Sequence, residues 1–463
     1  MSANYGMISL FPVIIALVLA FWKRNVFIAL LSGVFTGAFI IGIKEKSIFI
    51  AFDALAGVFT SVGTAKTTFF LLLTGAIVYA IQRSGGVEGL VYYLTEKKKV
   101  VNSKMAAQLL TMAVGVLIFV DGTTSIVISA LVGDAFFEKY KIPKEKLALI
   151  SNSTGSPVTW IVPFGAAGAM LISVISEVLP SLEASESVFS IVIKSMASQF
   201  YSIALLIILF ASILLNIDFP KKKGDKSDPE EIEGNSFKTS LPKGKEPLAR
   251  NMVLPIVFLI TSILLLLLYT GNGSLINGDA PTAIFTGGFL TLIFMATYYG
   301  FQKIINLEGF MDWSFEGMKD YLPIIIILVL AYAFSDIVGQ LGTAAYIASF
   351  SELIPASGIL FMVLVISTFI SFSSGSSSTA VILLVPLMLP VAESAGIPLH
   401  YVLGAVISGA VFGDQSSPIS DSVILTGKVT GVETMSHVKT QFYYTIPALA
   451  LAAVIYIVLG FTL

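Results

Sequence analysis

Long apolar runs alternate with short polar interruptions from one end of the chain to the other. A run of roughly 17–25 apolar residues spans a hydrocarbon core about 30 Å thick, because a helix rises about 1.5 Å per residue. Candidate runs lie near 8–22, 26–43, 64–82, 104–120, 125–138, 147–178, 190–217, 251–271, 281–302, 321–341, 356–372, 376–394, 400–426 and 440–462. Four stretches, 121–138, 147–178, 371–394 and 400–426, are too short or too polar for simple spans. The pattern predicts an all-α polytopic membrane protein. The run Ile8–Trp22 has no basic residues before it and is followed by Lys23-Arg24, so it reads as a retained first helix and not as a signal peptide.

One segment does not fit a membrane. Asp218–Arg250 carries thirteen charged residues between its two charged ends, among them Lys221-Lys222-Lys223 and Glu230-Glu231, and reads as a solvated linker. It divides the chain into a membrane half at 1–217, a cytoplasmic linker at 218–250 and a second membrane half at 251–463. The halves match weakly and in order. Val34-Phe35-Thr36-Gly37 is similar to Ile284-Phe285-Thr286-Gly287, and Ile77-Val78-Tyr79-Ala80 to Leu330-Ala331-Tyr332-Ala333. Asp121-Gly122-Thr123-Thr124-Ser125 faces Ser374-Gly375-Ser376-Ser377-Ser378, and Ile142-Pro143 faces Ile397-Pro398. The offset drifts only from 250 to 255 residues. Basic residues mark the cytoplasmic side. With the linker, Lys23-Arg24, Arg83 and Lys97-Lys98-Lys99 placed there, matching spans run in opposite directions, although Lys66 falls on the far side. Inverted repeats with interrupted helices and a midplane site characterise secondary transporters.

Composition narrows the picture. Of 463 residues, 56% are hydrophobic and only 12% charged, with mean hydropathy +0.90. A soluble surface so poor in charge would aggregate. The net charge of −2 gives no footing for nucleic acid. The absence of cysteine excludes thiolate chemistry, and two histidines make an imidazole metal site unfavourable. No Walker A pattern supports ATP-driven pumping, and no cofactor motif is present.

The chemistry collects in the four interrupted stretches. Gly413-Asp414-Gln415-Ser416-Ser417-Pro418-Ile419-Ser420-Asp421 puts two carboxylates inside an apolar region. A buried charge there costs several kcal/mol unless paired or bathed by a wet cavity. Pro418 leaves the carbonyl of Asp414 without its helical partner, which beside a carboxylate makes a hard-oxygen site for Na⁺. In Ser151-Asn152-Ser153-Thr154-Gly155-Ser156-Pro157, prolines 157 and 163 predict a helix break that offers uncharged oxygens. Ser371–Thr379, with Ser374, Gly375 and Ser376 at its centre, predicts a re-entrant hairpin tip; its partner is Asp121 to Ser125, including Thr123. Asp336 is a lone acid in an apolar segment, a cation carrier or a helix cap. Extramembrane turns or tight helix packing account for the same hydroxyls and small residues if no site exists.

These residues resemble the NhaC family of Na⁺/H⁺ antiporters within the ion-transporter superfamily. Phe412–Ser422 is similar to the family's Gly-Asp-x-x-Ser-Pro-Ile-Ser-Asp pattern, and His437-Val438-Lys439-Thr440-Gln441 follows at the expected place. Gly317-Met318-Lys319-Asp320-Tyr321-Leu322-Pro323, Asp121 and Ser153-Thr154 extend the likeness over about residues 60–450. The resemblance implies two inverted repeats, re-entrant hairpins facing broken helices, and an elevator-like transport domain beside a scaffold. It also implies a homodimer in the cell membrane, with Asp121, Asp414 and Asp421 as site residues. The chain departs from the pattern at Gly122, where family members often carry a second acid, and at Asn152, where they often carry Asp.

The expectation is a cation-coupled secondary transporter of a small ion or small organic solute. Asp414 and Asp421 are the Na⁺ candidates; Asp121, Ser417 and Asp336 are further cation or proton candidates. Asn152, Ser153, Thr154, Ser374, Gly375, Ser376, Thr123 and Ser416 are expected around the substrate. The coupling ion is Na⁺ or H⁺. The alternative is a Na⁺- or H⁺-coupled carrier of an amino acid or small carboxylate. A channel, or an intramembrane enzyme using Asp414 and Asp421 as an aspartyl pair, are the remaining classes.

Overall fold

The computed structural model describes residues 5–23, 25–94, 101–182, 186–217, 241–242, 244–343, 346 and 356–463. The lysine run at 97–99 and most of the expected linker, 218–240, lie outside the described residues. The first half contains α1 (Phe11–Lys23), α2 (Val26–Glu45), α3 (Ile50–Gly57), α4 (Val62–Arg83), α5 (Gly86–Tyr92), α6 (Lys104–Leu117), α7 (Gly122–Lys139), α8 (Lys144–Ile161), α9 (Ala166–Val178), α10 (Val188–Ser198) and α11 (Phe200–Leu214). The second contains α12 (Arg250–Thr270), α13 (Ala280–Phe301), α14 (Leu307–Gln340), α15 (Ala356–Ser374), α16 (Ser377–Ser394), α17 (Leu399–Ser416), α18 (Asp421–Thr430) and α19 (Thr434–Gly460). Among the described residues there is no strand. Eight helical stretches there are long and apolar enough to cross a membrane, or nine if α10 and α11, bent by 42°, form one span.

Polar side chains start these helices where the sequence interrupts its apolar runs. Asn25, Ser61, Ser103, Asp121, Ser187, Asp279, Asn306, Ser376 and Ser420 each accept a backbone N–H at the head of a helix. This satisfies donors that lipid cannot. Small residues then let helices approach closely, as expected where lipid supplies no hydrophobic drive. A Cβ on Gly75 would lie 2.3 Å from the Gly317 carbonyl, so α4 and α14 cross backbone to backbone.

Contacts along the helices give their directions. Gly33 faces Phe334 and Gly37 faces Ile337, so α2 and α14 run parallel. Lys66 donates to Thr282 at 2.7 Å and Gly288 faces Phe70, so α4 and α13 run parallel. Gly75 meets Gly317, while Thr67 bonds Ser173, which bonds Tyr332; α4 and α14 are therefore antiparallel. It follows that α2 opposes α13 as α4 opposes α14, which is an inverted arrangement.

The inner helices repeat with a constant offset. Helices α7, α8 and α9 begin at 122, 144 and 166, and α16, α17 and α18 begin at 377, 399 and 421, each 255 residues on. The turns agree as well: Ile142 donates to the Phe137 carbonyl and Ile397 to that of Ala392, both at 2.8 Å. This register pairs Asp121 with Ser376 as helix caps, two residues away from the pairing read off the sequence, which set Gly122 against Gly375. It also pairs Pro163 with Pro418.

Three expectations change. The run 147–178 is two helices, and its break lies at Val162–Gly165; α8 continues through Pro157. A proline bends a helix but need not end it when buried neighbours hold both sides, and Pro157 sits among buried residues. The run 190–217 is interrupted at Gln199. The carbonyl of Asp414 is not free, because the Ser417 N–H closes the last turn on it at 3.3 Å.

Candidate functional site

Two helix breaks and two hairpin tips meet in the interior. The first tip joins α6 to α7, and the second joins α15 to α16. Each tip rests on the break of its own half. The Ala166 N–H donates to the Val120 carbonyl at 2.9 Å, and a Cβ on Gly165 would stand 2.6 Å from the Phe119 carbonyl. Gly375 holds φ +69°, and a Cβ there would stand 2.7 Å from the Ile419 carbonyl. Only glycine supplies that backbone conformation and that approach together.

Asp414 lies in the last turn of α17, 7% exposed, where these pieces converge. Its Oδ1 accepts from the Ser420 hydroxyl and from Ser422 at 3.2 Å. Its Oδ2 accepts from Ser377 at 3.1 Å, with Ser156 at the 3.5 Å limit. One carboxylate thus gathers hydroxyls from α8, α16, the second break and α18. Trp160 braces the assembly by donating its indole N–H to Ser377 at 3.1 Å. On the other tip, Asp121 caps α7, taking the Thr124 N–H at 2.9 Å and its hydroxyl at 3.0 Å, while Gln82 of α4 donates to that hydroxyl at 3.2 Å.

A cavity of about 1240 Å³ opens against this centre. One wall is built by α4 and α14, through Gly75, Tyr79, Gln82, Asp320 and Tyr321. The other is built by the tips and broken helices. Of the residues expected from the sequence, Asp121, Thr123, Gly375, Ser376, Asp414 and Asp421 line it.

The others lie elsewhere. Asn152 is buried, 3.2 Å from His437 Nε2, and its carbonyl accepts from Gln415 at 3.0 Å; Tyr201 in turn donates to Gln415 at 2.8 Å. This network ties α8, α11, α17 and α19 together behind the cavity. Ser153 is buried in the same helix, and Thr154 turns back on the Ile150 carbonyl at 2.7 Å beside Gly115. Ser374 bonds its own helix at Ile370, Ser416 faces Thr445 at 3.4 Å, and Ser417 accepts from the Ile419 N–H in the break. Asp336 is exposed on the last turns of α14 and accepts from Gln340 at 2.9 Å, away from the cavity.

Several lining residues were not singled out. Gln82 of α4 falls in no quoted motif, whereas Tyr79, Asp320 and Tyr321 lie inside quoted stretches without having been named as site residues. Ser156, Ser377 and Ser422 lay inside the quoted hydroxyl runs but could not be told from their neighbours. Lys428 shares a helical face with Asp421 and Leu425, a spacing the sequence does show.

An all-helical membrane bundle, with hairpin tips closing on paired helix breaks around a buried acid, is a cation-coupled secondary transporter. The chain belongs to the Na⁺/H⁺ antiporter family, whose model matches residues 171–461. It is a multi-pass protein of the plasma membrane. It is 25% identical to an uncharacterised protein of Haemophilus influenzae over 98% of this chain and 91% of that one. It is 32% identical to the Na⁺/H⁺ antiporter NhaC of Bacillus subtilis, over 37% of this chain and just 38% of that protein. The fold is similar to that of MtrF, an antimetabolite efflux pump of Neisseria gonorrhoeae, with TM-score 0.63 and 16% identity, over 90% of this chain and 84% of the other.

Proposed function

We propose that the protein exchanges Na⁺ for H⁺ across the membrane, with Asp414 as the shared binding group. The observation that carries this reading is the convergence of four hydroxyls from separate segments on one buried carboxylate. A hydroxyl both donates and accepts. The same serines that donate to the bare carboxylate can rotate and offer lone pairs to a cation bound beside it. A proton on Asp414 removes the charge the cation needs, so the two ions compete and exchange follows. Asp421 and Asp121, on the same cavity, supply further negative field. The name of the Bacillus subtilis relative supports Na⁺ and H⁺ as the ions.

In this reading the two tips and two broken helices move as one body against α4 and α14, in an elevator-like way, because the cavity wall divides along that line. The cavity faces the end where Arg83, Asp320 and the linker's return to α12 lie, which the distribution of basic residues assigns to the cytoplasm.

The test is a Na⁺ pulse given to proteoliposomes that enclose a pH-sensitive dye. Two unit charges about 4 Å apart attract by about 4 kcal/mol at an effective dielectric near 20. That is roughly a thousandfold in affinity, so Asp414→Asn is expected to lose the dye response at Na⁺ concentrations that saturate the wild type. An unchanged response in this variant rules out Asp414 as the exchange site.

A further inference from the structure

The cavity is large for an ion. A water molecule takes up about 30 Å³ of liquid, and pockets for organic ligands run about 300–1,000 Å³. At about 1240 Å³ the cavity has room for an organic solute beside the cation. Its walls also carry apolar and aromatic surface, from Leu71, Val78, Met170, Trp160 and Tyr79. Na⁺ and H⁺ have no use for such surface, and an organic solute has.

Lys428 is the one cation among the described residues that line the cavity. It is exposed, and no side chain among the described residues bonds or pairs with it. Asp421, seven residues earlier on α18, is likewise exposed on the cavity, and no side chain among the described residues bonds or pairs with it. Residues 421, 425 and 428 fall on one face of the helix, and all three line the cavity. A lysine in the last turn also complements the helix dipole. That role is served from any side of the helix, so it does not account for the cavity face.

The spacing selects a ligand. Seven helical residues rise about 10.5 Å. Helical side chains lean toward the N-terminus, so the Lys428 ammonium reaches back toward Asp421 and leaves less than that between the charges. An α-amino acid held at both ends needs about 9 Å: two charge-assisted contacts of about 2.8 Å, and about 3 Å between its amino nitrogen and carboxylate oxygen.

We propose that this face of α18 is a clamp for a zwitterionic amino acid, with Asp421 taking the ammonium, Lys428 the carboxylate and Leu425 the carbon skeleton. The proposal rests on the reading of the cavity as the transport site. It adds an organic cargo whose movement Asp414 couples to the cation.

The experiment is a thermal-shift titration of the full-length protein with L-alanine, L-arginine and L-aspartate, and with acetate and ethylamine as single-charge controls, each with and without Na⁺. A ligand of the native state raises the melting temperature by mass action. At least one amino acid is expected to shift the wild type more than either control does. Lys428→Met and Asp421→Asn should each weaken that binding about 10- to 100-fold, as expected for a lost contact to a charged group. Lys428→Arg should restore most of it, which separates loss of the ammonium from damage to the fold. Silence of all three amino acids at about 10 mM, well above common substrate affinities, or equal binding by Lys428→Met, overturns the clamp. A Na⁺ shift that Asp414→Asn abolishes while the amino acids stay silent overturns the clamp alone and leaves the cation site standing.

Discussion

The seam between α15 and α17 is a place where a single methyl group should do harm. Here a hairpin arm lies flush on the broken helix that carries Asp414. Ser367 donates to the Val406 carbonyl and Ser371 to that of Ala410, both at 2.5 Å. Between these bonds, a Cβ on Gly409 would stand 2.4 Å from the Leu364 carbonyl and 2.8 Å from the Ser367 side chain. Ordinary contact begins near 3.4 Å, so Gly409→Ala must part the helices by about 1 Å. Overpacking of this kind costs about 1–3 kcal/mol. The same shift stretches the Ser367 bond beyond useful length, a further 0.5–1.5 kcal/mol or so. The sum is about 2–4 kcal/mol. Unfolding entropy near 2.1 cal/mol/K per residue gives about 1 kcal/mol per °C for 463 residues. The melting temperature of the detergent-solubilised protein should therefore fall by about 2–4 °C. Gly300→Ala is the control: nothing lies within 4 Å of its Cβ position, so it should hold or gain up to about 1 °C. Because the clash is with a backbone oxygen, trimming Leu364 should not rescue Gly409→Ala. If Gly409→Ala melts no lower than Gly300→Ala, the close backbone seam does not exist as described.

Two further outcomes are expected. Gly375→Ala puts a side chain at φ +69° and 2.7 Å from the Ile419 carbonyl, so the tip must leave the break; the dye response should fall about 5- to 30-fold from roughly 1–2 kcal/mol of strain at the site, and wild-type exchange would show that the tip need not seat. Asp336→Asn should leave the Na⁺-driven dye response unchanged, since its carboxylate lies outside the cavity; a loss of response would return Asp336 to the transport path.

The membrane class and the two repeats were legible because lipid makes them so: an apolar run can mean little else, and polar residues inside it must be satisfied. Pro163 and Pro418 were correctly suspicious, since each falls in a break. Pro157 shows the limit of that argument, as tertiary packing carries α8 through it. The interruption at Gln199 left no mark in sequence because it is made by distant partners. Tyr456 donates to the Ser198 carbonyl at 2.5 Å, Gln199 donates to that of Trp160 at 2.9 Å, and Gly404 packs on the Ser198 backbone. The cavity's outer wall was marked only indirectly, since Asp320 and Tyr321 stand in a family-like stretch that does not by itself point to a site. Gln82 and Tyr321 become site residues only when α4 and α14 cross.

The constant offset of the inner helices also changes what the missing acids mean. It maps Asp414 onto Thr159, Asp421 onto Ala166, and Asp121 onto Ser376. The backbone is duplicated, but the charge is not: both acids at a break belong to the second half, and the first half contributes its acid from the tip. In the proposed exchange, the two frames open alternately to either side while Asp414 serves as the single cation site between them. The two departures from the family pattern, Gly122 and Asn152, are placed differently by the structure. Gly122 does line the cavity. Asn152 does not: its amide faces His437 and its carbonyl accepts from Gln415, behind the wall. An aspartate there would put a charge into that buried network rather than a ligand into the cavity. Of the two departures from the family pattern, only Gly122 therefore stands on the cavity, beside Asp121, while the departure at Asn152 falls in the buried network behind it.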